Sequence, residues 1–187
     1  MGAAMKTSTT SIAGVMLVET GYFTDARGAF GRLYCESELS GIIGAHRIMQ
    51  INHSRTEAVG AVRGMHFQHP PHAEMKLVRC IKGRIWDVAV DLRAGSPTFL
   101  SWHAEELTPQ NACMLVIPEG CAHGFQVLDA GSELLYLHTA LYTPASEGGL
   151  LHDDPRLGIG WPLPALDLSS RDLAHPLLSQ DFSGIPS

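Results

Sequence analysis

Basic side chains are scarce in this chain. Thirteen lysines and arginines stand against 19 aspartates and glutamates, for a formal net charge of −6 at pH 7. A protein that tracks a nucleic-acid backbone needs the opposite balance, which excludes nucleic acid as a general partner. A small anionic ligand stays open, because it needs only two or three basic groups in a pocket. Cysteine is sparse as well: Cys35, Cys80, Cys113 and Cys121 form no CxxC pair. That excludes a disulfide framework and a zinc ribbon, and implies free thiols in a reducing, cytoplasmic compartment. Long apolar runs are missing. The stretch Ile12 to Val18 is too short for a signal-peptide core and far below the roughly 20 residues of a membrane helix, so no membrane partner is expected. There is no Gly-rich phosphate loop, no GxSxG elbow, no HExxH, no internal repeat and no low-complexity tract. No stretch before residue 145 keeps a helical period through three turns.

What is present suits one domain over residues 1–187, with 45% hydrophobic and 17% charged residues and many Gly/Pro breaks. The dominant period is two. After a few small, polar residues expected to be disordered, "IAGVMLVETG" reads as a first strand, and "YFTDARGAFGRLY" as a strand broken by a turn. "GAHRIMQINHS" is a further extended candidate. "EMKLVRCIKG" and "RIWDVAVDLRAG" meet at Lys82-Gly83 and predict a tight hairpin. "AHGFQVLDAG" and "SELLYLHTALY" predict a second across Asp129-Ala130-Gly131. In this last segment Tyr136, His138 and Tyr142 fall on one side, and Leu135, Leu137 and Leu141 on the other. A polar aromatic face of that kind suits a wet cavity inside a barrel. "LYCESELSGI" is the one short helical candidate, and from about residue 145 a turn-rich segment should wrap the barrel or reach a neighbouring subunit. The fold class expected is all-β, a double-sheet jelly roll with short peripheral helices.

Chemistry concentrates between Arg63 and Lys76, in "RGMHFQHPPHAEMK". His66, His69, His72 and Glu74, with His123 from a later strand, have the ligand types of a barrel-bound metal. Pro70-Pro71 interrupts the strand, however, and their side chains need not converge. A second reading makes His66 a general base, which needs a carboxylate partner and a cation for charge developing on a substrate oxygen. Lys76 and Arg63 are suitable cations and Tyr136 a suitable acid. Spacing alone does not show that they meet.

Several segments in order resemble the dTDP-4-dehydrorhamnose 3,5-epimerase family, cupin-fold enzymes of nucleotide-sugar metabolism. They are "GYFTDARGAFGRLY", "QINHS", "VRGMHFQHPPHAEMKLVRCIKGRIWDVAVDLRAGSPTF", "IPEGCAHGFQVL", "LLYLHTALYTPASEGGLLHDDPRLGIGWP" and "LSSRD". The resemblance covers nearly the whole chain. It implies a cupin double-stranded β-helix, no metal and no cofactor, a nucleotide-diphosphate sugar as ligand, and a homodimer whose N-terminal strands cross between subunits. His66 then matches the catalytic base, Asp172 its aspartate partner, Tyr136 the general acid, and Lys76 the lysine beside the keto oxygen. His123 matches a histidine of the active-site cavity. Arg63 and Arg27 match arginines that hold the diphosphate, Arg27 in members where it comes from the partner subunit. Gln50 and Asn52 match polar positions near sugar and nucleotide, and Tyr142 joins the substrate-binding set. The reaction implied is epimerisation of a dTDP-4-keto-6-deoxy sugar at C3 and C5.

The chain departs from the family pattern "YQxxPxAQxKLV", reading "FQHPPHAEMKLV", with Leu137 after Tyr136 in place of lysine and "LHDDP" in place of "WNDP". His69, His72 and Glu74 are therefore residues that would tune specificity at the pocket rim. The alternatives that remain are an epimerase acting at C3 or C5 alone on a dTDP- or CDP-linked 4-keto deoxy sugar, a metal-dependent cupin, and a sugar-binding cupin.

Overall fold

The computed structural model describes residues 4–186; the first residues of the expected disordered start lie outside them. The chain runs through β1 (Lys6–Thr9), β2 (Met16–Glu19), β3 (Tyr22–Asp25), β4 (Gly28–Gly31), α1 (Glu36–Ile43), β5 (Gln50–Thr56), β6 (Val62–Gln68), β7 (Lys76–Lys82), β8 (Ile85–Asp91), β9 (Trp102–Leu107), β10 (Cys113–Ile117), β11 (Cys121–Val127), β12 (Ser132–His138), β13 (Glu147–Gly149) and α2 (Ser170–Leu173). Two sheets face each other, one ordered β1-β2-β10-β7-β12-β5 and the other β13-β6-β11-β8-β9, while among the described residues β3 and β4 pair only with one another. The pairings between these strands are antiparallel. This is the all-β jelly roll with short helices that the strand periods lead one to expect.

Alternation along the strands divides the apolar residues among three layers. Val78 and Cys80 of β7, Ile85 and Ala89 of β8, Leu115 and Ile117 of β10 and Phe125 of β11 fill the space between the sheets. The opposite faces are also covered. Met114 and Val116 lie under Leu39 and Ile43 of α1, and Val88 and Val90 lie under Leu150 and Leu157, with Trp161 and Phe182 packed against them. Strands buried on both faces explain why "CMLVI" and "VAV" are unbroken apolar runs. The C-terminal stretch is tied down by backbone bridges from Leu166 to Ala61 and from Ile185 to Arg93.

Both predicted central hairpins are overturned. β7 pairs with β10 and β12, whereas β8 pairs with β11 and β9. Lys82-Gly83 thus carries the chain from one sheet to the other, as does Asp129–Gly131 between β11 and β12. The physical reason is that period two marks which side of a strand is buried and not which strand lies beside it. β7 and β8 turn their apolar sides toward a shared interior, so they face each other across the core. Gly83 sits at φ +77°, and a Cβ there would lie 2.3 Å from Ser132 Oγ. The N-terminal run is shorter as a strand than expected. The chain turns at Gly14 (φ +77°), so Ile12 and Val15 are buried in the turn of the β1–β2 hairpin. The short helix falls on the "LYCESELSGI" candidate but starts three residues later, at Glu36, and runs one residue further, to Ile43. β12 ends at His138, so Leu141 and Tyr142 lie beyond the strand whose faces they were expected to share.

The four cysteines are free, three of them buried. No helix among the described residues is long and apolar enough to cross a membrane.

Candidate active site

At one end of the interior the filling changes from apolar to polar and leaves a cavity of about 260 Å³. The six-stranded sheet supplies Lys76 from β7, Tyr136 and His138 from β12, and Asn52 and Ser54 from β5. Register explains why these share a wall: Tyr136 stands opposite Asn52 and Val78, and His138 opposite Gln50 and Lys76. The five-stranded sheet supplies Arg63 and His66 from β6 and His123 and Phe125 from β11. Arg63 and His66 are three steps apart and would ordinarily face opposite ways. The pairing shifts between His66↔His123 and Arg63↔Phe125, three steps on β6 against two on β11, a bulge that turns both side chains inward. Gly64 and Gly124 permit it, since a Cβ on Gly64 (φ +135°) would lie 2.5 Å from Gly124 Cα.

His66 Nε2 lies 2.7 Å from Asp172 Oδ1. Asp172 is buried on the one-turn helix α2, whose first turn is closed by Ser169 Oγ accepting from the Asp172 N–H at 3.0 Å. Burial pushes the His66 imidazole below its ordinary value, helped by the positive charges of Arg171 and Lys76 and opposed by Asp172. Its environment therefore favours the neutral imidazole, which a carboxylate holds in orientation. Lys76 is buried, donating to the His66 carbonyl at 3.0 Å and lying 3.3 Å from Glu74 Oε1. The phenol of Tyr136 shares a hydrogen bond of 3.0 Å with Ser54 Oγ. Burial pushes it up, so it keeps its proton near neutrality and has one to donate. His123 is held by buried Asp87 at 2.7 Å, and His138 by Glu74 at 2.8 Å.

Arg63 reaches the cavity and donates to Thr56 Oγ1 at 3.3 Å. Asn52 lines the wall; Gln50 braces it, donating to Asn52 Oδ1 at 3.1 Å and accepting from the Tyr142 N–H at 3.2 Å. Tyr142 reaches the rim from outside β12, its hydroxyl donating to Glu147 at 2.9 Å. Arg27 does not reach the cavity of its own chain: it stands at the tip of the β3–β4 hairpin, paired with Asp25 at 2.6 Å. The metal reading of the histidine-rich stretch fails on geometry. His69 and His72 are exposed on the proline loop, while Glu74 turns to Lys76 and His138.

Several residues of the site escaped sequence reasoning, among them Arg171, Glu147 and His175. Arg171 donates to Glu147 at 3.0 Å and approaches His66 Nε2 at 3.5 Å. His175 packs edge-on to His66, ring centroids 5.9 Å apart. "SSRDLAH" and the "EGG" of β13 have no period from which their direction could be read. His66, Asp172 and His175 each bring one potential ligand atom within 4.8 Å of the others. The Arg171 guanidinium beside them suits a proton-transfer pair better than a cation.

A double-sheet β barrel whose cavity holds a carboxylate-oriented imidazole, a buried lysine and a tyrosine hydroxyl has the groups that proton abstraction and return require. That is the chemistry of a cupin-type isomerase. A family profile described as dTDP-4-dehydrorhamnose 3,5-epimerase matches residues 9–180. The dTDP-4-dehydrorhamnose 3,5-epimerase of Salmonella typhimurium is 43% identical over 173 residues, 91% of this chain and 94% of that protein. The crystal structure of the enzyme of that name from Elizabethkingia anophelis superposes with a TM-score of 0.90 at 35% identity, covering 96% of this chain and 100% of the other. A dTDP-6-deoxy-D-glucose-3,5-epimerase of Legionella pneumophila, in complex with dTDP-4-keto-L-rhamnose, superposes equally well (TM-score 0.90, 35% identity, 97% and 98% covered). The chain belongs to the dTDP-4-dehydrorhamnose 3,5-epimerase family.

Proposed function

We propose that this protein epimerises a dTDP-4-keto-6-deoxy sugar at both C3 and C5, with His66 as the base, Lys76 as the electrostatic anchor and Tyr136 as the acid. The observation that carries this reading is that His66, paired with Asp172, and the Tyr136 hydroxyl line one cavity from opposite sheets, with the buried Lys76 beside them.

A hydrogen on a carbon next to a ketone is only weakly acidic. Its removal becomes feasible when the enolate oxygen forms against a fixed positive charge in a dry site. In this reading His66 takes the proton from C5 or C3, Asp172 stabilises the imidazolium, and the C4 oxygen takes up negative charge beside Lys76. Tyr136 then donates a proton to the same carbon from the other face, inverting it. Solvent reprotonates the phenol and the imidazolium gives up its proton, so the enzyme returns unchanged. Since C3 and C5 flank one carbonyl, one constellation serves both as the sugar repositions. No electrons are exchanged. Arg63 would hold the diphosphate, with Asn52, Gln50, His123 and Tyr142 around sugar and nucleotide.

The working form in this reading is a homodimer. The β3–β4 hairpin belongs to neither large sheet, and its Phe23 and Phe30 are exposed, as are Met49 and Ile51 near the open edge at β5. A hairpin added to a partner's β5 edge would cover these residues and carry Arg27 toward the partner's diphosphate.

The test is proton NMR of dTDP-4-keto-6-deoxyglucose with the enzyme in deuterated water. Deuterium at both C3 and C5 is expected. Incorporation at one carbon only would replace the reading by a single-centre epimerase, and ligand-induced shifts without exchange would reduce it to binding.

A further inference from the structure

Glu74 is a buried carboxylate that the proton transfers above leave unused. Its two oxygens are divided: Oε1 lies 3.3 Å from Lys76 Nζ and Oε2 lies 2.8 Å from His138 Nδ1. The three side chains are nearly sealed from water, with exposures of 9% for Glu74, 8% for Lys76 and 12% for His138. Beyond His138 the contacts run on to Asn52, 3.4 Å from its Nε2.

We infer that Glu74 is a positioning residue whose carboxylate holds Lys76 as an ammonium directed at the substrate oxygen, with His138 as the second arm of the clamp. This rests on the epimerase reading, in which Lys76 faces the keto oxygen.

A buried lysine without a counter-charge sheds its proton, and a neutral amine would give the enolate little. The groups facing Lys76 from each surrounding element are few. β6 offers the His66 carbonyl, β12 offers His138, β8 offers Asp87 and β13 offers Glu147. Asp87 is already engaged by His123, and Glu147 by Arg171 and Tyr142. Glu74 is the carboxylate in direct contact. Burial pushes Lys76 down, and the charge of Glu74 is the largest influence opposing it. For Glu74 itself burial acts upward, but the His138 hydrogen bond and the Lys76 charge outweigh it and hold the carboxyl below its ordinary value. It is therefore an anion wherever the enzyme would work.

Glutamine at this position would keep an oxygen for Lys76 and lose only the charge. The experiment follows Lys76 in the free enzyme by NMR of the side chain labelled at Cε and Nζ, titrated with pH in wild type, Glu74→Gln and Glu74→Asp. The rate of epimerisation is measured over the same pH range. The Lys76 midpoint should fall by roughly one to three pH units in Glu74→Gln, as for loss of an adjacent opposite charge. The alkaline limb of kcat should fall with it, costing tenfold or more at the highest pH. Glu74→Asp, which retains the charge, should titrate near wild type. Coincident Lys76 midpoints in wild type and Glu74→Gln would overturn the inference, as would an unmoved alkaline limb. The titration needs no turnover, so a wild type that fails to exchange would refute the epimerase reading and leave the lysine result to be judged separately.

Discussion

Arg63 and His66, three positions apart on one strand, both point into the same cavity, because β6 carries one residue more than β11 between their pairings. This bulge brings a guanidinium and an imidazole to a single wall. It requires two glycines, since the chain at Gly64 passes so close to Gly124 that neither has room for a side chain. Gly64→Ala should therefore destabilise the fold by roughly 3 kcal/mol, from positive-φ strain and a backbone clash combined, and any folded fraction should lose activity through a misplaced His66. Urea denaturation checks the first effect and the deuterium-exchange rate the second. A variant as stable and active as wild type would remove the bulge from the account.

Asp172 should act on His66 through charge as well as orientation. In the proposed mechanism the working form of the base is the neutral imidazole, so the rate should rise with pH through the His66 value. Asp172 holds that value up against burial. Asp172→Asn should therefore move the acidic limb to lower pH while lowering the plateau on the order of a hundredfold or more. A lower plateau with an unmoved limb would mean that Asp172 only orients the ring.

Tyr136 should separate proton loss from inversion. Its buried phenol keeps its proton through neutral pH, so Tyr136→Phe should leave exchange of the substrate hydrogens largely intact while net inversion falls on the order of a hundredfold. Comparing deuterium incorporation with product formation by NMR reads both. Equal loss of the two would make Tyr136 a packing or binding residue.

A fourth expectation concerns the scaffold. Asp91 accepts from Arg93, Ser96 and Thr98 at 2.8, 2.5 and 2.6 Å. Burial acts to raise its carboxyl, but these hydrogen bonds outweigh it and hold it at about 2, below the ordinary 3.8. A carboxyl depressed on folding stabilises the protein fully above its unfolded value, and that contribution is lost as pH falls through the folded one. Asp91→Asn should cost roughly 3 kcal/mol at pH 7 and progressively less from pH 4 to pH 2. Thermal melts across that range check it; a pH-independent cost would rule out the charge as its source.

The sequence carried the strand periods, the single early helix and the residues whose chemistry meets in the cavity. Burial on one side of a strand leaves a period of two, and a base, an acid and a lysine are recognisable by type. Partnering was not legible. "EMKLVRCIKGRIWDVAVD" has the alternation and the Lys82-Gly83 turn of a hairpin, yet its halves stand in different sheets, because a β-arch and a hairpin expose the same pattern to a reader of periods. The density of histidine near Pro70-Pro71 suggested a metal cluster. His69 and His72 face solvent, and His66 is the histidine of that stretch that lines the cavity. Arg171, Glu147 and His175 come from short irregular segments, where direction is set by packing onto β6 and not by any repeat. Arg27 was assigned to the ligand only through the family resemblance, and within its own chain it stands on a separate hairpin.

The most direct test of the central claim is solvent exchange in His66→Ala. Incubated in deuterated water with dTDP-4-keto-6-deoxyglucose, this variant should bind the nucleotide sugar yet incorporate no deuterium at C3 or C5 above the uncatalysed rate. Exchange at the wild-type rate would contradict the account, because another group would then be removing the proton.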